Sequence, residues 1–303
     1  MSTKTDDLPV TQGIPKVLLV GNGINRCFGQ VSWEEEIKKV STGNIDEGKD
    51  KLVENVSYPF RLILETGDCV DDAMRLYSED LYNPELCEEQ RKLLSNLLSK
   101  DYDIILTTNY SYEIERCLCD DFKCEKERRN SYRKRTCEGK KAEELFGLFR
   151  YYEFDFKGHK KYVWHIHGEA IKPESMIMGH YQYGKLLGLL YQYSSDLISR
   201  YKVCKTRGFD YHPLSWMDYF MLGDVYTVGF GMDMSEADIW WLANMKKRHF
   251  SGNGGIHLYE PNMDLDYNYA KKKLAESYNI DVVTEKVGRK GYLEYYNRLC
   301  EKL

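Results

Sequence analysis

VLLVGNGINRCFG, residues 17–29, decides the fold. Val17 to Val20 read as a buried β-strand. Gly21 and Gly23 follow at once as a tight turn, where a backbone free of Cβ atoms can approach a phosphate. Three further segments repeat the form of an apolar run ending in residues able to touch a ligand: IILTTNY at 104–110, VWHIHGE at 163–169 and VYTVGFGMDMSEADI at 225–239. They bring Asn109, His167 and the pair Gly229 and Gly231 to strand ends. Ligands of open parallel sheets bind outside the carboxyl ends of the strands. The four segments therefore predict one crevice that gathers a phosphate turn, an Asn, a His and a second glycine-rich turn, the makings of a nucleotide site with catalytic groups.

Between these segments the pattern turns helical. Residues 34–100 place apolar side chains at spacings of three and four, as in FRLILETGDCVDDAMRLY and EEQRKLLSNLLSK, and predict a helical insertion. Residues 112–160 are polar and predict a second, basic and helical insertion that ends at a strand over 162–166. SEADIWWLANMKKRHF predicts a helix with Ser235 as its candidate cap, followed by a strand at 255–259 and a last helix near 267–278. Residues 1–15 read as a flexible tail. Strands alternating with helices imply βαβ crossovers around a parallel sheet, here within a single domain over 1–303.

Composition narrows the class. No apolar run approaches 18 residues, and Met1 to Pro9 lacks the basic start and apolar stretch of a signal peptide, so a cytoplasmic protein with no membrane contact is expected. Nine cysteines, an odd number, argue for reduced thiols. Cys117, Cys119, Cys124 and Cys137 match zinc-ligand spacing poorly, and no metal is expected. A net charge of −5 gives no general pull towards nucleic acid. Seven Lys or Arg in the 13 residues of KCEKERRNSYRKR, 123–135, are either a solvated loop or a local patch for nucleic acid or an acidic partner. There is no G-x-x-x-x-G-K-[ST], and the glycine after Gly23 arrives only at Gly29, so neither a P-loop nor the dehydrogenase fingerprint is met.

In order and kind the segments resemble the sirtuins, and more closely the sirtuin-like domains of bacterial NAD-consuming defence proteins. Gly21-Asn22-Gly23-Ile24-Asn25 is similar to the family's G-A-G-I-S, Thr107-Thr108-Asn109-Tyr110-Ser111 to its T-Q-N-I-D, and His167-Gly168 to its H-G. The resemblance implies a Rossmann-like α/β parallel sheet with helical insertions. It implies NAD as substrate, with the diphosphate against Gly21, Asn22, Gly23 and Asn25 and the nicotinamide ribose near Thr107, Ser111 and the catalytic pair Asn109 and His167. Gly229, Phe230 and Gly231 would hold adenine and its ribose, with Glu260 and Asn262 as a second ribose contact. Cleaving nicotinamide from ribose passes through an oxocarbenium-like state, so the site needs a group that orients hydroxyls, as Asn can, and a base, as His can be near neutral pH. His165 competes with His167 for that role, whereas Asp233 and Asp238 read as turn and helix-start residues.

Two departures shape the expected chemistry. Ser111 stands where the family has the Asp that contacts the carboxamide, and the paired C-x-x-C zinc module of deacylating members is missing. Water thus becomes the expected acceptor, and an NAD+ hydrolase of anti-phage defence, acting by abortive infection, is the leading expectation. An NAD-dependent protein deacylase and an idle subunit that senses NAD or ADP-ribose are the alternatives. The resemblance further implies control by homo-oligomerisation or by a partner such as a HerA-type ATPase.

Overall fold

Strand β1 (Lys16–Val20) pairs in parallel with two strands far apart in the sequence, β2 (Ile104–Thr107) on one side and β6 (Asp224–Val228) on the other. The computed structural model describes residues 8, 13–29, 38, 41, 56–125, 132–137, 147–288 and 290–303. Most of the expected tail 1–15, the first part of the insertion 34–100 and part of the basic segment 123–135 lie outside the described residues.

The rest of the sheet builds outward from β1. Strand β5 (His159–His165) pairs with β2, β7 (Ile256–Tyr259) with β6 and β8 (Ile280–Val283) with β7, all in parallel. Beyond β5 the chain adds β4 (Arg150–Phe156) and β3 (Tyr132–Thr136), both antiparallel to their neighbours. Among the described residues this is an α/β fold with an eight-stranded, mostly parallel sheet in the order β3-β4-β5-β2-β1-β6-β7-β8. The register aligns Val20 with Thr107 and Val228, and Thr107 with His165, so the quoted segments leave the sheet side by side. Chain order reverses direction at β1, and such a switch point opens a crevice at the strand ends.

Alternation along each strand feeds a core on either face. Val17 and Leu19 join Ile104, Leu106 and Trp164 on one side, while Leu18 and Val20 join Ile105 and Val163 on the other. Helices α6 (His180–Arg207), α7 (Trp216–Leu222) and α8 (Ala237–His249) cover much of the first face. The second is covered by α4 (Glu88–Leu98), α5 (Glu113–Leu118) and α10 (Tyr292–Lys302). Helix α4 therefore belongs to the core, where it closes the β1 to β2 crossover, although it falls within the segment read as an insertion. The preceding helices α2 (Tyr58–Thr66) and α3 (Val70–Glu79) form a smaller cluster in which Leu62 and Met74 pack with Met176 and Met178.

Several sequence expectations are revised. The segment 112–160 is not simply helical, because β3 and β4 extend the sheet there. The helix after the fourth segment begins at Ala237 with Glu236 in the capping position, while Ser235 turns its backbone and hydroxyl to Asp233 Oδ1 at 2.8 and 2.7 Å. The helix expected near 267–278 is α9 (Tyr269–Ser277), and β8 and α10 follow it without having been foreseen. No helix among the described residues is long and apolar enough to cross a membrane. None of the nine cysteines forms a disulfide.

Candidate active site

A cleft of about 1040 Å³ opens at the carboxyl ends of the central strands. Asn22, Gly23, Asn109, Ser111, His167, Gly229, Phe230, Gly231 and Glu260 all line it, so each of the four segments contributes.

The floor is made by two glycine turns locked together. Gly21 N–H donates to Val228 O at 3.0 Å and Gly23 N–H to Gly229 O at 2.7 Å. A Cβ on Gly21 would lie 2.6 Å from Gly229 O, and one on Gly23 would lie 2.6 Å from the Tyr296 hydroxyl. Close approach of backbone to backbone is therefore itself enough to require glycine here. Asn25 is buried and does not line the cleft, since its amide donates to Asn22 Oδ1 and its carbonyl oxygen accepts from Gln90 of α4. The short helix α1 (Gly23–Arg26) that follows is anchored through that chain of amides.

Asn109 is fixed at its backbone, while its side-chain oxygen is open among the described residues. Its N–H donates to Thr107 Oγ1 at 3.0 Å, and its carbonyl accepts from His165 Nδ1 at 2.8 Å. Its side-chain Oδ1 is buried with no hydrogen-bond partner among the described residues, although Asn109 is only 7% exposed. A buried acceptor left open in this way costs about 1–3 kcal/mol, and a ligand hydroxyl in the cleft would satisfy it. Thr107 is spent on the scaffold, with its hydroxyl on Val20 O, and Thr108 lines the cleft in its place.

The two histidines differ in position. His165 lies outside the cleft lining, with both ring nitrogens on acceptors, Asn109 O and Glu115 Oε1 at 2.9 Å. Burial opposes its charge, but Glu115 overrides this and its pKa is raised. His167 faces the cleft because the chain turns sharply after it. Gly168 has φ +87°, and a Cβ there would lie 2.0 Å from Ser175 O.

His167 lies between two carboxylates. Its Nε2 donates to Asp238 Oδ2 at 2.8 Å, and its Nδ1 lies 3.8 Å from Glu236 Oε2. Burial disfavours the imidazolium, yet the two carboxylates outweigh it and hold the pKa at about 9. Asp238, read as a helix-start residue, sits in the first turn of α8 and anchors this ring. Glu236 is the site residue that sequence reasoning missed. It lines the cleft, accepts from Tyr183 of α6 at 2.8 Å, and is pushed up to about 7, mainly by burial. His167, Glu236 and Asp238 place potential ligand atoms within 4.8 Å of one another, near enough for a metal ion; in this arrangement His167 Nε2 and Asp238 Oδ2 are hydrogen-bonded to each other.

The remaining expected contacts divide. Glu260 stands beside Gly231, and Lys271 reaches both, at 2.9 Å to Gly231 O and 3.5 Å to Glu260 Oε1. Asn262 does not line the cleft, because its side chain clamps both polar groups of Val287 and so fixes the approach to α10. Arg26, Lys271 and Lys290 supply cations to the lining, and Tyr58, Pro59, Tyr77 and Leu81 come from the helical segment before β2. Periodicity showed those helices but not that they reach the site. The basic segment is partly neutralised within the molecule, since Lys134 pairs with Glu169 at 2.7 Å and Arg135 with Glu153.

No protein-family model matches this chain, and no curated protein matches it. Its class is defined by fold and cleft: an α/β protein whose mostly parallel sheet opens a cleft of mixed polar and apolar lining at its central strand ends.

Proposed function

We propose that the protein hydrolyses the bond between nicotinamide and ribose in NAD+, releasing nicotinamide and ADP-ribose, with Asn109 and His167 at the reacting ribose. The convergence of four separate segments on one cleft carries this reading. The cleft volume reaches the top of the roughly 300–1,000 Å³ range of small-molecule sites, which suits a dinucleotide. Arg26, Lys271 and Lys290 offer the charge that a diphosphate needs, and the open Oδ1 of Asn109 offers an acceptor to a ribose hydroxyl. The order of the segments supports a sirtuin-like fold and a role in anti-phage defence, restrained by assembly or by a partner protein. A sensing role is favoured by one observation, that the Ser111 hydroxyl donates to Glu113 rather than standing free for the carboxamide.

The test is incubation of the purified protein with NAD+ and chromatography of nicotinamide and ADP-ribose. Asn109→Ala and His167→Ala are expected to lose about 100-fold or more of the rate while keeping the circular dichroism of the folded protein. Undiminished turnover in both variants sinks the assignment, and NAD+ binding with no turnover in the wild type favours the sensor.

A further inference from the structure

We propose that Glu236, not His167, accepts the proton of the attacking water; this rests on the hydrolase reading above. Geometry leaves few other acceptors. Asp238 does not line the cleft and is committed to His167 Nε2. Of the carboxylates that do line it, Asp233 is occupied by the backbone and hydroxyl of Ser235, and Glu260 by Lys271. Glu236 stands apart. Its Oε2 takes the Tyr183 hydroxyl, its Oε1 has no hydrogen-bond partner among the described residues, and its side chain remains 21% exposed. The Nδ1 of His167 lies 3.8 Å from the Oε2 of Glu236, so a water or ribose hydroxyl seated in the cleft beside both groups would meet a donor in one and an acceptor in the other.

The charges around Glu236 agree with this division of labour. His167 faces it from the loop after β5, Tyr183 from α6, Tyr110 from the loop after β2, and Asp233 and Asp238 from its own stretch of chain. His167, held as an imidazolium at neutral pH, has no vacant nitrogen to receive a proton, whereas Glu236 exchanges one near pH 7. In the step itself the C1′–N bond breaks and its electron pair passes to the pyridinium nitrogen, leaving neutral nicotinamide. The water oxygen forms the new bond to C1′, and its proton moves to Glu236 Oε1 and on to solvent. His167 stays protonated throughout and serves as a donor. NAD+ and water thus yield nicotinamide, ADP-ribose and one proton.

Chemical rescue tests the assignment. Glu236→Gln preserves shape and an oxygen for Tyr183, and is expected to bind NAD+ by calorimetry while turnover falls about 10²- to 10⁴-fold. Sodium azide, a nucleophile that needs no deprotonation, should restore NAD+ consumption in this variant and give the ADP-ribosyl azide by mass spectrometry. Azide should not restore His167→Ala. A wild-type rate in Glu236→Gln, or azide that fails to revive a variant still binding NAD+, overturns the proposal alone. Absence of nicotinamide release by the wild type overturns the hydrolase reading and this proposal with it.

Discussion

His167 and Asp238 meet across 71 residues of chain, with Nε2 of one and Oδ2 of the other 2.8 Å apart and both side chains almost fully enclosed. A contact of this kind ties the charge of the ring to the stability of the fold. His167 titrates at about 9 against an ordinary 6.5, so between these values the folded chain holds a proton that the unfolded chain lacks. The stabilisation is complete below about pH 6.5 and is lost as pH rises through about 9. Urea unfolding of the wild type and His167→Gln across that window is expected to show the gap between them shrink by about 1–3 kcal/mol. A gap that does not change with pH refutes the coupling.

Gly23→Ala is expected to destabilise the fold by about 1–3 kcal/mol, the usual cost of overpacking, because the new methyl meets the Tyr296 hydroxyl and Gly229 O at 2.6 and 2.7 Å. Adding Tyr296→Phe removes only the first clash, so the double variant should recover part of the loss in thermal melting. Full recovery would mean that Gly229 yields freely.

Glu115 and His165 form a buried hydrogen-bonded pair under Asn109. Glu115→Leu leaves His165 Nε2 without its hydrogen-bond partner and should cost about 1–3 kcal/mol, whereas Glu115→Leu with His165→Leu should cost less than the sum of the single changes. A double-mutant cycle in urea gives the coupling directly, and additive losses would show that the pair is not coupled.

Lys246 of α8 donates to the carbonyls of Phe220, Met221 and Gly223, and so closes the carboxyl end of α7 from inside the core. Lys246→Met keeps the bulk and leaves these carbonyls without that donor, a change expected to cost at least about 1–3 kcal/mol in denaturant unfolding. Wild-type stability in that variant would show that the carbonyls find other partners.

Strands β1, β2, β5 and β6 are legible in sequence because each is a short apolar run closed by Gly, Asn or His, and burial on both faces demands such runs, whereas the half-exposed β8 lacks both marks. Strands β3 and β4 escape the same reading. YRKRT and RYYEFDF mix charge with aromatic residues, and their pairing is satisfied by partners such as Glu153 with Arg135 and Lys160, which only the antiparallel register brings together. The candidate site divides in the same way. Asn109 and His167 stand at strand ends where local pattern places them. Glu236 looks like any acid at a helix start until the loop after β5 and helix α6 arrive beside it. Thr107, Asn25 and Asn262 match the motifs yet serve the scaffold, because neighbouring positions in a turn differ in which way they face.

The interlock of the Gly23 and Gly229 turns bears on how such a chain can diverge. Two stretches remote in sequence share one contact surface with no room for a methyl group on Gly23, so drift in one is vetoed by the other. The rim is built differently, since Tyr58, Tyr77 and Leu81 reach it as side chains of the helical segment before β2. The floor of the cleft is thus set by backbone against backbone, and its rim by side chains.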